Sequence, residues 1–216
     1  GLLDGEAAQA GCGPDPDACA LPGGRYHVVL PDAAGDRTPA VVFLHGYASS
    51  GEGTLRNTGM VRALVARGYA VIAPDGQPRP GRQGLTWDFH PDRPARLDEG
   101  AFIAAVADDA AARFGLDRGK MLLAGFSIGG SMVSYIACAT PGAFAACAPV
   151  AGNFWRPHPE TCAGPVDLFY THGWRDTTVP IEGRVIGSGF VQGDVFAAMA
   201  IWRATDRCSL QPDTFA

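Results

Sequence analysis

Leu123-Ala124-Gly125-Phe126-Ser127-Ile128-Gly129-Gly130 reads as a buried strand that turns abruptly through Gly-x-Ser-x-Gly into a helix. A turn this tight puts the serine at strained backbone angles and leaves no room beside it for side chains, so glycine is required on both flanks. Lys120 to Ala124 is apolar after its first residue, and Ile128 to Ala137 is a run of small and apolar residues, which supplies the strand and the helix. Ser127 is therefore expected to project into a cleft as a nucleophile, with an ordinary glycine-rich strand-to-helix turn as the bland reading of the same residues.

Two further segments extend this reading on either side. Ala40-Val41-Val42-Phe43-Leu44-His45-Gly46-Tyr47 is an apolar strand that ends in His-Gly. Acyl transfer needs two backbone N–H donors aimed at a developing oxyanion, one from the residue after the nucleophile and one from a loop after an early strand. Ile128 and Tyr47 occupy those positions. His45 reads as a residue that shapes the loop in preference to a base. Val166 to Thr171 is again a strand running into a loop, His172-Gly173-Trp174-Arg175-Asp176, where Asp176 stands in the place of a triad acid. Asp75 also follows a strand, but it precedes the serine and reads as loop chemistry.

Leu44-His45-Gly46, Gly125 to Gly130, Ala148-Pro149-Val150-Ala151-Gly152 and His172 to Pro180 together resemble the polyhydroxybutyrate depolymerase and feruloyl esterase group of secreted α/β-hydrolases, over about Arg25 to Cys208. The resemblance implies an α/β-hydrolase fold with a mostly parallel, doubly wound sheet. It also implies a serine esterase acting through an acyl-enzyme on a polyhydroxyalkanoate-type polyester or oligoester, or on a feruloyl or acetyl ester. Ser127 is then the nucleophile, Asp176 the acid, and Tyr47 and Ile128 lie at the oxyanion site. In that group the catalytic histidine follows the acid.

Here it does not. His27, His45, His90, His158 and His172 all precede Asp176. Three explanations stand: the final strand, histidine loop and helix belong to a further C-terminal segment; His158 or His90 swings in from a loop, since a triad is recognised by geometry and not by order; or the chain is a carbohydrate- or polymer-binding relative without catalysis. A peptidase or lactone hydrolase on the same fold is the alternative chemistry.

Composition suits one domain over residues 1–216, with 1–24 as a cysteine-bearing N-terminal segment: 47% of residues are hydrophobic, enough for a sizeable core. Seventeen basic against 22 acidic residues give a net charge of −5, which argues against nucleic acid as a partner. No apolar run approaches a membrane span, and neither a cofactor nor a metal site is implied. The six cysteines lack Cys-x-x-Cys spacing and indicate an oxidising compartment, secreted or periplasmic. Cys12 and Cys19 flank a stiff turn-rich loop and are expected to pair; Cys138 with Cys162 is a second pairing to test, and Cys147 reads as a small buried residue. Ala8-Gln9-Ala10 resembles the end of a cleaved export signal.

Strands are expected at Tyr26 to Leu30, Val41 to Leu44, Tyr69 to Ala73, Met121 to Gly125, Phe144 to Val150 and Val166 to Thr171, with helices at Met60 to Arg67, Glu99 to Phe114, Ile128 to Ala139 and within Val191 to Thr205. Gly76 to Asp98, rich in Pro, Arg and Gly, reads as a long loop beside the cleft. Trp87 within it, Phe126 at the elbow and Trp155 are candidates for an aromatic wall that grips substrate, with plain surface packing as the alternative.

Overall fold

Short apolar runs separated by helical stretches build a parallel sheet, because each return to the same sheet edge requires a crossover. The computed structural model describes residues 9–214. In chain order its elements are β1 (Cys19–Leu21), β2 (Gly24–Val29), β3 (Thr38–Leu44), α1 (Gly51–Leu55), α2 (Thr58–Ala66), β4 (Ala70–Pro74), β5 (Gln77–Pro78), β6 (Leu85–Thr86), α3 (Glu99–Phe114), β7 (Leu116–Phe126), α4 (Ile128–Ala139), β8 (Ala146–Val150), β9 (Val185–Ile186), β10 (Phe190–Val191) and α5 (Val195–Asp206).

The main sheet has the order β1-β2-β4-β3-β7-β8. β4, β3, β7 and β8 are parallel, and β2 and β1 add antiparallel strands at one edge. All five residues of β4 are buried, as befits a central strand covered on both faces. The core gathers Val42, Leu44, Ile72, Met121 and Leu123 of the strands with Ile103 and Val106 of α3 and Val133 of α4. A smaller cluster, Leu55, Val61, Val71 and Ala73, packs α1 and α2 on the other face.

That second face is covered unevenly. Its β7 and β8 positions include half-exposed Leu122 and Val150, and Phe126 at its end is 51% exposed. The expected strand at Val166 to Thr171 is an extended segment without regular strand structure. It runs parallel to β8 through bridges Cys147 to Leu168 and Val150 to Thr171, with Phe169 N–H donating to Cys147 O at 2.9 Å and Ala151 N–H to Thr171 O at 2.8 Å. It is paired on one side only among the described residues, and Phe169 is 74% exposed. An edge with so few ladder bonds has little to hold it regular.

Two short hairpins add to this: β5–β6 lies in the stretch expected as a long loop, and β9–β10 lies between the last expected strand and helix, reaching only Val191 of the latter. The expected helix within 191–205 begins at Val195, where the Asp194 side chain accepts the Ala197 N–H and caps it. Cys12 is bonded to Cys19 and Cys138 to Cys162, while Cys147 (buried) and Cys208 (exposed) are free. Ala8, at the start of the expected signal end, lies outside the described residues. No helix among the described residues is long and apolar enough to cross a membrane.

Candidate active site at the β7–α4 turn

β7 ends at Phe126 and α4 starts at Ile128, so Ser127 alone makes the turn, at φ 56°, ψ −121°. A non-glycine residue occupies this region only where the surroundings impose it. They do so here through close approach. A Cβ on Gly129 would meet Leu44 O at 2.2 Å and His45 O at 2.5 Å, and one on Gly125 would meet Gly129 O at 2.5 Å. Ser127 N–H donates to Val150 O at 2.9 Å, which ties the turn to the end of β8, and Ser127 O accepts the first helical bond from Ser131 N–H. The Ser127 side chain makes no capping bond and is half-exposed.

Ile128 is the first residue of α4, so its N–H has no intrahelical acceptor. Tyr47 sits in the turn after β3. Among the described residues neither N–H has a protein acceptor, and both residues border one cleft of about 400 Å³. The helix N-terminus adds its own partial positive charge at Ile128.

The loops that present these groups are held by buried polar contacts. His45 Nε2 accepts the Gly76 N–H at 3.0 Å, so the ring proton sits on Nδ1 and donates to Gly46 O at 2.8 Å. Burial lowers its pKa, and both nitrogens are engaged. Trp87, 2% exposed, packs tilted against the His45 ring at 5.0 Å and donates from Nε1 to its carbonyl at 2.9 Å, so it is a buried prop in the cleft wall with little surface to grip a substrate. Asp75 accepts the Gly51 N–H at 2.7 Å and pairs with Arg25 at 2.6 Å, fixing the start of α1.

Asp176 Oδ1 accepts N–H bonds from Thr178 at 3.0 Å and Val179 at 2.8 Å, whereas Oδ2 accepts no hydrogen bond among the described residues, with His172 Nε2 3.9 Å away. His172 donates from Nε2 to Val179 O at 2.6 Å and takes the Tyr170 hydroxyl on Nδ1 at 2.9 Å. His158 Nε2 bonds to Asp194 O at 3.1 Å, at the cap of α5. His90, 6% exposed, lines the cleft; its Nδ1 accepts the Asp92 N–H at 3.1 Å, and its Nε2 has no partner. None of these histidines is hydrogen-bonded to Ser127 among the described residues. Trp155, half-buried, meets Phe89 and His90 edge-on at 5.2 and 6.1 Å and forms part of the cleft wall; Phe126 lies on the opposite side of the elbow, in a separate groove with His45 and Met60.

Four arginines, Arg79, Arg82, Arg93 and Arg96, also line the cleft. Their only signal in the sequence was the Arg- and Pro-rich composition of Gly76 to Asp98. No group of three or more His, Cys, Asp or Glu side chains among the described residues could hold a metal ion.

Residues 25–168, which hold the β3 turn, the elbow and β8, match the family described as esterase PHB depolymerase. The chain belongs to that family. Over 176 residues it is 31% identical to NocK, a protein named as an esterase from Nocardia uniformis subsp. tsuyamanensis, covering 78% of this chain and 45% of NocK. It spans less than half the length of the curated relatives it matches. Among solved structures, esterase PE8 is 26% identical, with a TM-score of 0.54 over 73% of this chain and 77% of its own. The structure of native pOPH is 18% identical, with a TM-score of 0.58 over 90% and 75% of the two chains. The fold that this PHB depolymerase family member shares with them is the α/β-hydrolase fold.

Proposed function

We propose that the chain is a serine hydrolase of carboxylic esters, polyester or oligoester chains or feruloyl or acetyl esters, working through an acyl-enzyme on Ser127. The observation that carries this reading is the conformation of Ser127, φ 56° and ψ −121° between β7 and α4, next to two unengaged N–H groups on one cleft. Ser127 Oγ attacks the ester carbonyl and loses its proton to a general base, which returns it to the departing alcohol; water then repeats the sequence and releases the acid. The Ile128 and Tyr47 N–H groups stabilise the tetrahedral oxyanion. Trp155 and Phe126 flank the bound ester from the two sides of the elbow, and Trp87 supports the loop that carries Tyr47.

Asp176 orients the base. Its Oδ1 is fixed by two backbone donors and its Oδ2 is free to accept an imidazole N–H. The base itself is assigned to a histidine on a segment of the same protein beyond Ala216, which adds to the edge at 166–171. Three observations support this assignment: the edge is paired on one side only among the described residues, Phe169 and Phe126 are exposed on the thinly covered face, and His45, His158 and His172 are engaged by backbone or tyrosine groups while His90, with its Nε2 free, is hydrogen-bonded to neither Ser127 nor Asp176. Two disulfides support export to the periplasm or the medium.

Labelling with a fluorophosphonate probe tests the reading, because only an activated serine reacts quickly. The natural protein should label on the peptide that holds Ser127, and Ser127→Ala should not label. Equal labelling of the two would refute it.

A further inference from the structure

The cleft beside Ile128 and Tyr47 is cationic in an acidic protein. Four arginines line it, against one lining carboxylate, Asp88, while the chain as a whole carries −5. Asp88 is taken: it forms a two-pronged pair with Arg96, at 2.9 Å to Nε and 3.2 Å to Nη2. Arg79, Arg82 and Arg93 make no ion pair among the described residues.

Two of these guanidinium groups are laid on aromatic faces. Arg93 lies 4.0 Å from the centre of the Phe190 ring, and Arg79 lies 4.2 Å from that of Tyr47 while donating to the Tyr47 hydroxyl at 2.8 Å and to Gln83 O at 2.6 Å. Stacking of this kind orients a planar fork of donors; the Arg93 fork has no protein acceptor among the described residues, and Arg79 keeps one N–H on each Nη beyond its bonds to Tyr47 and Gln83. Arg79 Nε is buried with no acceptor, and so is Nε2 of His90, a residue more than nine-tenths buried in the wall of the same cleft. Buried donors without acceptors are costly unless something supplies one.

We propose that this cleft takes esters that carry a free carboxylate, such as half-esters of dicarboxylic acids, with Arg79 and Arg93 as its anchors, Arg82 adding charge at the mouth and His90 Nε2 as a further donor. The inference rests on the esterase reading for the fate of the ligand but not for its binding. A carboxylate matches the planar forks and the apolar body of the ester matches the rings between them, and its charge is compensated by arginines that Asp88, already paired with Arg96, does not neutralise.

The test separates binding from chemistry. The natural protein carrying Ser127→Ala is titrated by calorimetry with monobenzyl glutarate and with its neutral counterpart, benzyl methyl glutarate. The half-ester should bind at least about tenfold more tightly, the scale of one charge-assisted contact. That preference should shrink at high salt and in Arg93→Gln, an exposed position, and in Arg82→Gln. Equal affinity for the two ligands would overturn the proposal, as would a preference unchanged in both arginine variants or tighter binding of benzyl phosphate. A lack of Ser127-dependent ester hydrolysis, by contrast, would refute the esterase reading and leave this binding result standing.

Discussion

Oδ2 of Asp176 stops 3.9 Å from Nε2 of His172, because that nitrogen already donates to Val179 O at 2.6 Å. The nearest histidine to the candidate acid is therefore a strut of the loop, and the carboxylate keeps one oxygen for another imidazole. Asp176→Asn retains the Oδ1 acceptor for Thr178 and Val179, so the loop should stay folded. In the natural protein kcat should nevertheless fall by about 10³-fold or more, since an amide no longer holds the histidine tautomer. An unchanged kcat would move the acid role to another residue, with Asp167 the first to test.

Gly129 is where the elbow is least forgiving. The Cβ of Gly129→Ala would press on the Leu44 and His45 carbonyls, backbone atoms that cannot swing aside. The variant should lose about 1–3 kcal/mol of stability in urea denaturation. A loss below about 0.5 kcal/mol, the range of neutral surface changes, would show that the turn has slack.

Thiol chemistry distinguishes the four bonded cysteines from the two free ones. Burial pushes the Cys147 thiol up to about 12, whereas Cys208 is exposed. Iodoacetamide at pH 8 should modify Cys208 alone in the native protein and both Cys147 and Cys208 after unfolding without reductant, because only the thiolate reacts. Modification of Cys12 or Cys19 under those conditions would contradict the disulfide framework.

Glu99 gives a pH signature. It is 3% exposed, one oxygen accepts the Asp88 N–H and the other has no partner, and desolvation raises its pKa to about 7. The folded state thus holds a proton that the unfolded chain releases near its ordinary value of 4.5. The stability this contributes is complete below pH 4.5 and lost as pH rises through about 7, on the order of 3 kcal/mol in all. Glu99→Gln should flatten that slope in denaturation curves at pH 4.5 to 7.5; an identical slope would show Glu99 to be ionised throughout.

The sequence was most informative where local pattern and tertiary demand coincide. Glu99–Phe114 and Ile128–Ala139 are helices with the expected bounds, because caps and breakers, Asp98, Gly115 and the Ser127 turn, mark where they start or stop. At 166–171 the apolar alternation was legible but regularity was not, since that depends on a neighbour on the outer side. The β5–β6 hairpin was hidden by Pro78, and the cationic cleft by its origin in a loop, where spacing does not tell which arginines turn inward. The sequence offers His90 and His158 alike as loop histidines; the unpartnered Nε2 of His90 in the cleft wall separates it from His158, which is bonded at the cap of α5.

Hydrolysis of p-nitrophenyl acetate by the natural protein and its Ser127→Ala variant, compared alongside their circular dichroism, decides whether Ser127 is the nucleophile. In the variant kcat/KM should be lower by at least about 10³-fold with an unchanged spectrum, because only the attacking oxygen is lost. Activity within tenfold of the natural protein would contradict Ser127 as the nucleophile.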